Sequence, residues 1–192
     1  PGGQLFLDGH DLTCLRLDDL REQIALVPQE GYLFTSSLAD NLRYGEPEAG
    51  LNRVEAAAQQ ARLLADVRGF PDGMNTLVGE RGITLSGGQR QRTALGRALL
   101  LKAPVLVLDD ALASVDNNTA AEILASVRRQ TQRTIVMISH QLSAAAACDR
   151  ILVLDRGRLV QQGHHTDLIR EQGLYRSLWE REQAAERLES VA

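Results

Sequence analysis

The sequence predicts an α/β protein: a parallel sheet whose strands are separated by one long, mostly helical insertion. Three observations carry this. In the second half, short apolar runs alternate with helix-patterned stretches, the pattern of a parallel sheet with helical crossovers. Between about residues 30 and 101 the pattern is helix and loop instead. A strand-like run, "IALVPQ" (24–29), precedes that region, so the insertion falls between sheet strands.

Each element has its own signal. "GQLFLDGHDL" (3–12) alternates apolar and polar residues and turns at Asp8-Gly9, an edge hairpin. "LDDLREQ" (17–23) is a short helix, and "IALVPQ" a buried strand stopped at Pro28. "TSSLADNLRYG" (35–45) opens on hydroxyl caps and closes on glycine, a short helix. The alanine-rich stretch from Asn52 to Val67 predicts one helix, and the Gly-rich stretch 70–89 a loop. Ser86 caps a helix from about Gly87 to Leu101, which Pro104 ends. Strands follow at 105–109 and 133–139, with helices at about 117–130 and 141–147. "RILVLDRGRLVQQG" (150–163) is two strands joined at Arg156-Gly157, and the tail is helical.

The bulk numbers bound the function. The chain has 192 residues, 44% hydrophobic and 24% charged, the composition of a globular domain with a real core. No apolar run approaches the roughly eighteen residues of a membrane span. The net charge of -4 gives no electrostatic reason to bind nucleic acid or anionic lipid. Cys14 and Cys148 lack metal or redox spacing and fit packing in a reduced cytosolic protein. Lys102 is the only lysine.

Two stretches carry chemistry. "VLVLDD" (105–110) ends a strand on Asp109 and Asp110. Parallel sheets place functional groups at strand C-termini, and magnesium takes hard oxygen ligands while keeping several waters. On its own the run reads equally as an acid capping the next loop. "LSGGQRQR" (85–92) opens a helix on Ser86, Gly87 and Gly88, where free N–H groups, the positive dipole end and a hydroxyl gather. Isolated, it would be a plain serine cap. Here it precedes the acidic strand end by a single helix.

Taken together these stretches resemble the nucleotide-binding domain of ABC transporters. "LSGGQ" (85–89) looks like the signature motif, "VLVLDD" like Walker B and Ser114-Val115-Asp116 like the D-loop. His140 in "ISHQLS" looks like the switch histidine, and Gln29 in "VPQE" like the Q-loop glutamine. "TLVGERG" (76–82) resembles the X-loop of exporters, and "YLFTSSLADNL" (32–42) and "DRILVLDRGRLVQQGHHTDLI" (149–169) are exporter-like too. The match runs in order over nearly the whole chain. It implies a P-loop NTPase, RecA-like core, with residues 1–29 and about 102–192 as core and about 30–101 as the helical subdomain. It implies ATP and Mg2+ as ligands. Ser86, Gly87, Gly88, Gln89, Gln29, Ser114 and Asp116 would serve ATP. Asp109 and Gln29 would serve the metal, Asp110 and His140 catalysis, and Glu80 contact with a membrane domain. Arg90 and Arg92 read as solvated or fold-supporting.

Two departures matter. A P-loop needs G-x-x-x-x-G-K-[ST], and Lys102 has no such glycine before it, so Walker A is missing. The adenine-stacking aromatic of the family is missing as well. The resemblance therefore implies a C-terminal fragment of a longer exporter whose membrane domain precedes it, placed at the cytoplasmic face of the inner or plasma membrane. The second departure is Asp110, where the family carries a glutamate as base. Asp is one methylene shorter, a retreat of about 1.5 Å. A general base is worth about 10²–10⁴-fold. With an intact LSGGQ, this implies an unequal pair. The chain's own site would be slow, and its signature would complete a different subunit's site. A slow homodimeric ATPase and a non-hydrolytic regulatory module are the alternatives, while soluble repair or translation factors fit poorly.

Overall fold

The computed structural model describes residues 3, 5–79, 85–129 and 133–189. The chain forms two compact units, Pro1–Ile138 and Ser139–Ala192.

In the first unit, β1 (Phe6–Leu7) and β2 (His10–Asp11) make the expected hairpin. Asp8 and Gly9 both take positive φ, 48° and 82°, as a type I′ turn requires. The helix α1 (Leu17–Gln23) leads into β3 (Ile24–Val27). After the excursion through the helical region come β6 (Val105–Asp109), α6 (Asn117–Arg129) and β7 (Thr134–Ile138). The sheet is parallel, in the order β3-β6-β7. Ala25, Val27, Leu106 and Leu108 are fully buried on one face. The other face is open. Leu26, Val136 and Ile138 are 57%, 46% and 54% exposed, so the expectation of a buried strand holds for one face of β3 only.

The intervening region has its own core. It contains β4 (Ser36–Ser37), α2 (Leu38–Arg43), α3 (Leu51–Gln60), α4 (Leu64–Val67), β5 (Leu77–Val78) and α5 (Gly87–Leu100). Leu38, Leu42, Val54, Ala58, Leu63 and Leu100 pack together within it. Ser37 accepts the Asp40 N–H at 3.0 Å and caps α2, as its hydroxyl predicts.

Two expectations fail here. The stretch 70–89 is not all loop: Gly73–Asn75 forms a 3-10 turn, and Leu77–Val78 pairs with Ser36–Ser37 as a two-stranded ribbon. The helix expected from Asn52 to Val67 breaks after Gln60. Leu63 N–H donates to Ala58 C=O at 2.8 Å and Arg62 N–H to Gln59 C=O at 3.0 Å, a Schellman ending. Its left-handed residue is Arg62, φ 54°, where glycine is usual. The sequence therefore shows no stop signal.

The second unit contains α7 (Leu142–Ala146), the hairpin β8 (Ile151–Asp155) and β9 (Arg158–Gly163), α8 (His165–Leu168) and α9 (Leu174–Glu189). Arg156 and Gly157 turn the hairpin with positive φ, as read from the sequence. Glu182 accepts the Leu142 and Ser143 N–H groups at 2.8 and 3.2 Å, a carboxylate cap on α7 from α9. Ile151, Val153, Leu168 and Tyr175 form the core. The Tyr175 hydroxyl lies 2.8 Å from His165 Nδ1.

Burial, with smaller contributions from Glu182 and Cys148, pushes the Tyr175 hydroxyl up to about 12. The neutral phenol is the form that folding favours. Its contribution to stability is therefore full below the ordinary tyrosine value of 10.0 and fades as pH rises from there to about 12. A tyrosinate absorbance titration of the folded protein should show a step near pH 12 that Tyr175→Phe removes.

Candidate functional site

The two acids at the end of β6 are held differently. Asp109 is the last strand residue, in register with Ile138, and is partly exposed. Asp110 turns inward and is 8% exposed. Its backbone is left-handed, φ 47°, a region that Asp enters more readily than most residues. Its N–H donates to Ile138 C=O at 2.8 Å, and its C=O accepts from Ala113 N–H at 3.2 Å. Gln29, just past the end of β3, directs Nε2 at Asp110 Oδ2 from 3.5 Å, the outer limit of a hydrogen bond. The parallel register of β3 on β6 is what brings Gln29 to this acid.

The second cluster is the start of α5. Ser86 Oγ accepts Gln89 N–H at 3.2 Å, and Gln89 Oε1 accepts Ser86 N–H at 3.0 Å, a reciprocal capping box. The glycines have a role that the sequence did not disclose. A Cβ on Gly88 would lie 2.7 Å from Ser114 C=O, and one on Gly87 3.3 Å from the Ser114 side chain. Within this chain, the space they leave is filled by the 111–116 turn. Gln91 Oε1 holds the same turn by accepting Ser114 N–H at 2.8 Å.

Asp116 caps α6 by accepting Thr119 N–H at 2.9 Å. Donation from the Thr119 backbone and hydroxyl holds the Asp116 carboxyl below the usual range. Gln89 Nε2 donates to Asp66 at 2.9 Å, and Arg92 donates to the other Asp66 oxygen at 2.8 Å. Arg90 donates to Leu85 C=O. Both arginines thus support the fold, as read from the sequence.

Of the residues singled out from sequence, Gln29, Asp109 and Asp110 gather at the strand ends. Ser86, Gly87, Gly88 and Gln89 gather with Ser114 at the start of α5. His140 belongs to the second unit and is exposed. Glu80 lies outside the described residues. The sequence reading missed Asp66 and Gln91. Gln91 left a signal: it shares the buried stripe of α5 with Ala94, Leu95 and Ala98, and a polar group there needs a partner. Asp66 left none, because its partners are more than twenty residues away.

A family model described as ABC transporter matches residues 1–113, more than half of the chain. The chain belongs to the ABC transporter family. An ATM1-type heavy metal exporter of Novosphingobium aromaticivorans is 42% identical over 188 residues, which is 97% of this chain and 31% of the relative. An ATP-dependent lipid A-core flippase of Vibrio cholerae is 41% identical over 178 residues, 92% of this chain and 31% of the relative. Among solved structures, a bacterial Atm1-family ABC exporter with ATP bound superposes with a TM-score of 0.88 at 40% identity, over 93% of this chain and 32% of that one. The ABC chain therefore spans about a third of the length of these relatives. The expected P-loop NTPase fold class agrees with the family match, the structural likeness and the parallel sheet. No described helix is long and apolar enough to cross a membrane.

Gly88→Ala tests the packing of the 111–116 turn. Helix propensity alone would make the alanine stabilising by about 1 kcal/mol. The clash with Ser114 C=O predicts a net loss of about 1–3 kcal/mol instead, read from the denaturation midpoint.

Proposed function

We propose that this chain is the ATP-hydrolysing module of an ABC exporter, and that its own site is the slow one of an unequal pair. The observation that carries the second half is Asp110. It is a short carboxylate, buried and turned toward Gln29, where the family carries a glutamate. In this reading ATP lies between the Walker motifs of one domain and the signature of another. Ser86, Gly87, Gly88 and Gln89 meet the nucleotide bound by a different subunit. Gln29, Ser114 and Asp116 belong to the same pair of sites, and His140 contacts the terminal phosphate. Residues 30–101 are the helical subdomain, and Glu80 reaches the membrane domain.

Magnesium fits the donor set. Asp109 and Gln29 are the oxygen donors this chain would supply, and no described group of three or more His, Cys, Asp or Glu could hold a metal alone. That suits an ion that keeps waters and phosphate ligands rather than an all-protein cage. When bound it would neutralise charge developing on the phosphates. A membrane domain and the P-loop strand and helix belong to the longer protein. The open apolar face at Leu26, Val136 and Ile138 supports such a cover. The module would then work at the cytoplasmic face of a membrane, with no nucleic acid as partner.

The test is ATP turnover by the full-length protein with its partner. In the unequal pair, replacing the partner's Walker B glutamate by glutamine lowers turnover about 10²–10⁴-fold, and Asp110→Glu raises it. If Asp110→Glu changes nothing and the partner's glutamate is dispensable, the asymmetric reading is wrong. Turnover by the full-length protein alone would instead favour the slow homodimer.

A further inference from the structure

The start of α5 is mounted on a part of the chain that no motif identifies. Gln89 spends both ends of its amide inside the chain: Oε1 on Ser86 N–H at 3.0 Å and Nε2 on Asp66 Oδ1 at 2.9 Å. Asp66 Oδ2 also takes Arg92 Nη1 at 2.8 Å, in an ion pair whose side chains are only 21% and 16% exposed. Arg92 in turn donates to Gly88 C=O at 3.3 Å and to Arg62 C=O at 2.6 Å. One carboxylate therefore fixes the capping glutamine and the arginine that grips the second glycine.

The chain reaches this arrangement at a conformational cost. The left-handed Arg62 breaks what would be a continuous helix and sets Asp66 on the separate short helix α4. For a non-glycine residue that backbone is unfavourable, because Cβ crowds the following carbonyl oxygen. The Arg62 carbonyl that the turn exposes is itself one of the acceptors for Arg92, so the break and the mount are one construction.

We infer that Asp66 is a positioning residue for the signature turn: it holds Gln89 and Arg92 so that Ser86 and Gly88 are presented in one fixed geometry. This rests on the reading that the turn serves a nucleotide. This narrows the contacts proposed above: with both ends of its amide engaged, Gln89 supports the turn, and direct nucleotide contact would fall to Ser86 and the glycine backbone. Misplacing such groups by about 1 Å costs roughly 10²-fold in rate.

The test measures ATP turnover by the full-length exporter with its partner, normalised to nucleotide-binding protein. Asp66→Ala and Gln89→Ala should each lower kcat roughly 10- to 100-fold with little change in KM. The double variant should be no slower than the slower single one, because both cut the same linkage. Should Asp66→Ala fail to fold, a swap replaces it. Gln89→Glu sets two carboxylates together and lowers kcat, and adding Asp66→Asn restores a donor and recovers the rate. Losses that multiply in the double variant, or a swap that recovers nothing, overturn the inference. So does wild-type turnover in Asp66→Ala when Ser86→Ala is slow. If Ser86→Ala, Asp66→Ala and Gln89→Ala all keep wild-type turnover, the nucleotide reading of the turn falls, and this inference falls with it.

Discussion

The constraint on which the rest depends is the left-handed turn at Asp110. Its N–H caps the Ile138 carbonyl and closes the β6–β7 ladder, and its own carbonyl starts the turn through Ala113. The chain leaves β6 in a direction that only a residue tolerant of positive φ allows. That direction lays residues 111–116 against the start of α5, where Gly87 and Gly88 leave room and Gln91 takes the Ser114 N–H. The acidic strand end and the start of α5 are thereby joined through one short, half-buried segment, in which Ala111, Leu112 and Val115 are in the core. A shift at either end must be felt at the other, or the buried Gln91 oxygen loses its partner.

Much of the fold was legible because its signals are local. The hairpins at Asp8-Gly9 and Arg156-Gly157, the Ser37 and Ser86 caps and the three sheet strands all follow from residues adjacent in sequence. The errors share one cause. Arg62 ends a helix in a conformation that its residue type does not advertise, and the Schellman bonds that stabilise it are backbone bonds. The ribbon of Ser36–Ser37 with Leu77–Val78 joins segments forty residues apart and is too short for an alternating pattern. The open sheet face is invisible for a different reason. A strand buried on one side and a strand buried on both have the same apolar composition when the second cover lies elsewhere.

The candidate site divides in the same way. Its motifs were legible as strings, since strand-acid and Ser-Gly-Gly-helix are short and contiguous. Their supports were not. Asp66, Gln91 and the Arg62 carbonyl act across the fold, and a single sequence carries no mark of such contacts. The structure also changes what the glycines mean. As a string, Gly87-Gly88 suits close approach to a phosphate, yet a side chain at Gly88 would strike Ser114 before any ligand arrived. Internal packing already requires glycine there, so that identity by itself says nothing about a nucleotide. The case for the nucleotide rests on the family, the capping hydroxyl and the dipole end.

The same separation applies to Asp110. If Asp110 is the base of the proposed site, catalysis and backbone pull in different directions at this position. A base must reach an attacking water, which favours the longer glutamate. The left-handed backbone favours Asp over longer side chains, because a short carboxylate can bond locally to its own turn. Asp110 therefore suits the turn that leads from β6 to α6 and packs on α5, and in the proposed site it would give up reach. In the proposed unequal pair, a chain whose signature serves a partner's site would lose little by that exchange. Under that proposal its own hydrolysis would be slow, while the geometry that carries Ser114 onto Gly88 is kept. The substitution that looks like decay when read as catalysis is, when read as backbone, a residue suited to its place.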